Sequence, residues 1–191
     1  MDRAEAEKAL IAILRLAYSG ELAAMLAYQG HAASVSSKAE KEEIARIEND
    51  ELRHRNRVGE MLAELGATIE PRRELKMRLI GAAVSLACRL TRSLPGGWFF
   101  AMYGAGRLES GNIVEYEHAA RFAWEAGRRH FVADILEMAR VEWDHEKYFH
   151  DKIRGHSLYR WVRAWPAPPA REAIDSSFAE FTRVPSEQVH A

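Results

Sequence analysis

The chain has 191 residues, with 27 Lys+Arg against 28 Asp+Glu, eight His and a single Cys. That length holds one compact domain with a sizeable core, and a net charge of −1 argues against a dedicated nucleic-acid binder or a polybasic membrane anchor. With Cys88 alone, a disulfide framework, a thiolate zinc site and a rubredoxin-type centre are excluded, so any metal must be held by His and carboxylates. Residues 1–15 mix charged and apolar side chains and lack the apolar core of a secretory signal, so a cytoplasmic setting is expected.

Almost the whole chain reads as helix, because Ala, Leu, Glu, Arg and Lys dominate while Gly and Pro cluster at a few places. The first predicted helix covers residues 3–31 and ends near Gly30. A polar turn at residues 34–37 follows, in which Ser36 or Ser37 can cap a second helix running to Leu65, just before Gly66. Pro71 opens a connection whose residues 79–88 are almost wholly apolar, with Arg89 and Arg92 directly after. Ten residues are too few to span a bilayer, so this stretch is expected to cover the bundle as a crossover helix or to lie in a membrane interface. Pro95, Gly96 and Gly97 break it, a third long helix covers residues 98–126, Gly127 turns the chain, and a fourth helix covers residues 128–154. Two helical hairpins joined by a long connection make an all-α four-helix bundle, assigned to residues 1–157. Residues 158–191, with Trp161 and Trp165, are expected to form a C-terminal arm or tail.

Each helix carries an apolar seam at alternating steps of three and four, and each seam is interrupted in mid-helix by Glu: Glu21, Glu51, Glu109 and Glu142. The second and fourth seams continue as Glu-x-x-His, through His54 and His145. Residues at i and i+3 share a helix face, so each pair can ligate together. A carboxylate in an apolar interior is strongly unfavourable unless it is paired or neutralised, and no Lys or Arg stands on these stretches of seam. Two divalent cations balance four carboxylates, and two neutral imidazoles add ligands without charge. Depth agrees: Glu21 and Glu51 have their midpoint at Ser36, and Glu109 and Glu142 have theirs at the Ala126–Gly127 turn. In each hairpin the two carboxylates therefore lie at similar depth, roughly 20–25 Å from the tip at 1.5 Å per residue.

The remaining candidates are weaker. Glu48 is expected at the seam margin, and Glu115 and Glu117 on a solvated face. His31, His118, His130, His150, His156 and His190 lack a paired carboxylate at ligand spacing and are expected on the surface or in the tail, and Cys88 in the core. Tyr28 and Tyr116 each follow a seam Glu by seven residues and are candidate hydrogen-bond or redox neighbours, although packing alone can explain them. A carboxylate-rich set with two His suits iron, or manganese, better than zinc or copper. Such a site opening on an apolar channel can oxygenate an organic substrate with O₂ and electrons from an external reductant. Opening on water, it can oxidise ferrous ions or reduce peroxide. A third reading is a non-enzymatic helical module whose tail tryptophans dock a partner.

The residues resemble the ferritin-like di-iron carboxylate proteins and, among them, the demethoxyubiquinone hydroxylases of ubiquinone biosynthesis. Gly20-Glu21 with Tyr28 and Gly30 downstream is similar to that family's first-helix segment. Ala101-Met102, Glu109 and Tyr116 resemble its third helix, and Glu51/His54 and Glu142/His145 its two Glu-x-x-His pairs. The chain departs from the family at Ala17-Tyr18-Ser19 and at Glu115, where the family has His. Asn112 stands where the rival rubrerythrin-like peroxidases carry a further Glu. The resemblance implies a ferritin-like bundle with an extra helix between helices 2 and 3, and two iron ions held by Glu21, Glu51, His54, Glu109, Glu142 and His145. It further implies O₂-dependent hydroxylation of a hydrophobic, quinone-like aromatic, with peripheral inner-membrane contact through the stretch between Leu79 and Phe100. A homodimer is expected. The alternative within the fold is an iron-handling protein, a ferroxidase or a rubrerythrin-like peroxide scavenger.

Overall fold

The computed structural model describes residues 1–183, whose regular elements are all helices, with no strand among them; His190 lies outside the described residues. Helix α1 (Arg3–Ser34) starts on a capping box in which Asp2 accepts from the Glu5 amide and Glu5 accepts from the Asp2 amide. It ends where Val35 turns extended. Ser37 caps α2 (Lys38–Glu64), and Gly66, at φ 65°, stops it in the left-handed conformation that glycine adopts without steric penalty. The chain then returns through α3 (Pro71–Thr91), with Pro71 in the first turn, where its missing N–H costs nothing.

The third predicted helix is two. Helix α4 (Gly97–Glu109) ends at Ser110, and α5 (Asn112–Glu125) begins after Gly111. The Ser110 hydroxyl donates to the Arg107 carbonyl and so competes with the helical ladder, and Gly111 is a poor helix former. The seam periodicity runs straight through this break and so conceals it. After Gly127 (φ 74°) and a 3₁₀ turn at Arg129–Phe131 comes α6 (Val132–Arg154). Of the arm, residues 158–183 are described. A second 3₁₀ turn, Ser157–Trp161, and a seventh helix, α7 (Ala173–Arg183), lie along the bundle, tied by Arg171 to Asp144, Arg140 to Asp175, and the Trp143 indole to the Pro169 carbonyl. Trp165 is buried while Trp161 is exposed.

Helices α1, α2, α4/α5 and α6 form the bundle. Helix α3 runs alongside α1, fitted so closely that a Cβ on Gly30 would stand 2.2 Å from the Ser85 carbonyl oxygen and one on Gly81 2.6 Å from that of Ala23. By length and composition α1 is apolar enough to cross a membrane, but it is a bundle helix with a carboxylate at its centre. Two apolar clusters fill the interior. One gathers Leu10, Leu14, Val58, Met61, Ile113, Phe131 and Ile135; the other gathers Ile44, Ile47, Phe99, Met102, Phe149 and Ile153. On every bundle helix the seam Glu falls in sequence between residues of the first cluster and residues of the second.

Candidate metal centre

The level between the two clusters is where the six seam residues meet. Glu21, Glu51, His54, Glu109, Glu142 and His145 are all buried. They form two overlapping sets: Glu21, Glu51, His54 and Glu142, and Glu51, Glu109, Glu142 and His145, each with one ligand atom per residue within 4.8 Å of the others. Glu51 and Glu142 belong to both sets, which is the arrangement two bridging carboxylates require. His54 Nδ1 stands 2.9 Å from Glu142 Oε1, and His145 Nδ1 stands 3.2 Å from Glu51 Oε1.

The surroundings orient these groups. The Tyr28 hydroxyl on α1 donates to Glu109 on α4, and the Tyr116 hydroxyl on α5 donates back to Glu21 on α1. Burial, then the adjacent carboxylates, push both phenols up, so they remain protonated donors. Asn112 Nδ2 bridges Glu109 (3.0 Å) and Glu142 (2.9 Å), so the break after Glu109 places a donor on the next helix over two carboxylates. Asp50, which sequence reasoning missed, takes the other side of His145: Nε2 stands 3.2 Å from Asp50 Oδ2. Arg46 donates to the same carboxylate at 2.7 Å, and Arg53 pairs with its second oxygen. Burial works to raise Asp50, but His145, Arg53 and Arg46 outweigh it and hold the carboxyl below its ordinary value. With an ion at Nδ1, an ionised Asp50 would hold the proton on His145 Nε2 and keep the Nδ1 lone pair turned to the cluster, the orientation a metal-ligating imidazole needs.

Whether a metal fits is decided by what these atoms lack. Both Glu51 oxygens, Glu142 Oε1, His54 Nδ1 and His145 Nδ1 are buried and, although they crowd one another at 2.9 and 3.2 Å, none makes a hydrogen bond of proper geometry. Burial, then mutual repulsion, drives Glu21, Glu51 and Glu109 well above the usual carboxylate range. Unpartnered buried acceptors converging on one point are unfavourable alone and become favourable around cations. The donor set fits two divalent ions.

The cluster borders, at Glu21 and Glu109, a cavity of about 670 Å³ between α1, α3, α4 and α5, walled mainly by apolar side chains such as Ala24, Met77, Ile80, Val84 and Leu108. Glu21, Tyr28, Glu109, Asn112 and Tyr116 all reach its lining.

The other sequence candidates are placed as follows. Glu48 accepts from Gln29 away from the cluster. Glu117 meets Ser177, while Glu115, though exposed overall, lines the cavity with Arg73. His118 and His130 are exposed and His156 half-buried. Two expectations are corrected. His31 and His150 are buried, His31 because its ring enters the stack of Tyr28 and Phe149, and His150 because the arm brings Trp165 over it. Cys88 is only half-buried and belongs to the cavity wall, since α3 turns that face toward the cavity.

A helical bundle with a buried Glu₄His₂ cluster at mid-height is the architecture of the ferritin-like di-metal carboxylate proteins. Residues 8–89 match the family model described as ubiquinone biosynthesis protein COQ7. That match spans 82 of the 191 residues and supports a likeness to the demethoxyubiquinone hydroxylase family, whose members are di-iron oxidoreductases. It covers nearly all of α1, α2 and α3 and contains Glu21, Glu51 and His54; Glu109, Glu142 and His145 join them through the fold. Comparison with curated proteins and with solved structures gives no match.

Proposed function

We propose that the chain is an O₂-dependent di-iron monooxygenase that hydroxylates a hydrophobic, quinone-like aromatic, with Glu21, Glu51, His54, Glu109, Glu142 and His145 as the metal ligands. The observation that carries the reading is the apolar cavity meeting the cluster at Glu21 and Glu109. A ferroxidase or peroxide scavenger needs a route for ions or water, and has no use for a wall of this kind.

The bound metal pair supplies the activation of O₂. One oxygen atom enters a ring C–H bond, and the other leaves as water with two protons and two electrons from an external reductant. The chain's residues do the rest. Glu51 and Glu142, shared by both candidate ligand sets, would hold the two ions. Asn112 fixes the rotamers of Glu109 and Glu142, and Tyr28 and Tyr116 hold Glu109 and Glu21. The cavity wall excludes water and orients an apolar body against the cluster. Access is from the α3 side, where Leu75, Leu79, Leu86, Leu90, Leu94 and Phe100 are exposed, with Arg72, Lys76, Arg78, Arg89 and Arg92 among them. Apolar side chains mixed with cations suit an acidic lipid surface from which a greasy substrate can enter.

The test is single-turnover reaction of Fe(II)-loaded protein with O₂, a chemical reductant and a methyl-alkyl-1,4-benzoquinol lacking one ring substituent. The expected product gains one oxygen atom, derived from ¹⁸O₂. Rapid O₂ consumption with release of soluble ferric ion and an unchanged quinol would instead indicate the iron-handling alternative.

A further inference from the structure

The cavity has two unlike lobes on either side of the cluster. Helices α1 and α3 run in the same direction, with Arg73 beside Ser19 and Ser85 beside Gly30. The lobe toward the start of α3 carries charge, Arg73 and Glu115. The lobe toward its end is lined by Ala27, Val84, Phe100 and Ala101, with the Cys88 thiol. Apart from that thiol, its polar side chains among the described residues are Tyr28 and His31.

Tyr28 is already committed to Glu109. His31 is not committed to anything. It is 2% exposed, its ring packs against both Tyr28 (centroids 6.2 Å apart, 24° between planes) and Phe149 (5.7 Å, 22°), which also stack on each other (5.8 Å), and its buried Nε2 makes no hydrogen bond among the described residues. A buried imidazole nitrogen without a partner weakens a fold, and a Leu or Phe of similar volume would fill this place without that defect. Such unmet polar groups persist where a ligand meets them. Burial also holds His31 down to about 4, so at neutral pH the ring is uncharged and has one donor and one acceptor.

We propose that His31 is a positioning residue that hydrogen-bonds a ring oxygen of the aromatic substrate, at the edge remote from the metals. The inference rests on the hydroxylase reading of the cavity. Tyr28 and His31 lie nearly one helical turn apart on the same face of α1, a rise of about 4.5 Å. A six-membered ring set over that face therefore has one edge at the cluster and its opposite oxygen at the imidazole. In a lobe otherwise apolar, one such contact decides which ring position is presented for hydroxylation. The substrate class is accordingly narrowed to aromatics carrying a hydroxyl or carbonyl oxygen opposite the reacting edge.

The test compares binding of decyl-1,4-benzoquinol and decylbenzene, matched in chain and ring, to anaerobic Fe(II)-loaded protein by titration calorimetry. Wild-type protein is expected to prefer the quinol. His31→Leu is expected to weaken quinol binding about tenfold while leaving decylbenzene unchanged. His31→Phe, which keeps the stack on Phe149, should repeat the loss, and His31→Gln should restore most of it. The Leu variant should melt no lower than wild type at pH 7, since it removes an unmet polar group. Equal loss for both ligands, or no loss for the quinol, overturns the assignment and leaves the cavity reading intact. If wild-type protein binds neither ligand, the cavity reading itself fails and the role of His31 falls with it.

Discussion

At the residue scale, the centre is a problem of buried charge that shared cations would solve, with neighbours that orient the candidate ligands. Asp50 touches His145 and would act on bound metals through it, so Asp50→Asn is expected to weaken metal binding about 10–100-fold with helix content unchanged; competition with a chelator of known affinity reads it. His31 gives a prediction with a defined sign. Its folded-state pKa of about 4 lies below the ordinary 6.5, so the unfolded chain takes up a proton that the folded one refuses. The stability tied to its neutral form is full above pH 6.5 and is lost as the pH falls toward 4. Melting temperature should therefore drop more steeply between pH 7 and pH 5 in wild type than in His31→Leu, and parallel curves would contradict this. The six candidate ligands were legible because two patterns coincide, an apolar seam and a carboxylate at matching depth in each hairpin. Asp50 and His31 were not. Asp50 lies one residue off the seam and finds its partner on α6, 95 positions away. His31 reads as a surface residue until the bundle closes and Phe149, reaching across from α6, stacks on its ring.

At the scale of elements, the distinctive contact is α3 against α1, made possible by Gly30 and Gly81. Gly30→Ala sets a methyl against the Ser85 backbone, which cannot yield without moving α3, so a loss of about 1–3 kcal/mol is expected. Gly104→Ala, whose new methyl would have no neighbour within 4 Å, is expected to stabilise α4 by up to about 1 kcal/mol. Chemical denaturation measures both. The four long bundle segments follow from apolar periodicity and from Gly66, Pro71 and Gly127. The break at Ser110 and Gly111 and the existence of α7 do not. The first is a competition between a side-chain hydroxyl and the backbone, invisible to a periodicity. The second depends on a docking site for Ile174 and Phe178, which α5 and α6 create only once folded.

For the whole molecule, two apolar clusters pack the bundle helices α1, α2, α4, α5 and α6 around one polar level, and α3 walls a cavity over that level while exposing leucines outward. Binding to vesicles containing anionic phospholipid is expected, weakening as salt rises. Leu79→Glu with Leu86→Glu should abolish it in a flotation assay without changing metal content. The central claim, that the cluster is a di-metal site with Glu51 and Glu142 shared, has a direct measurement in anaerobic Fe(II) titration followed by metal analysis. About two ions per chain are expected for wild type, as the ligand set requires, about one for Glu21→Ala, and essentially none for Glu51→Ala. One ion or fewer in wild type, or loss of a single ion in Glu51→Ala, would contradict it.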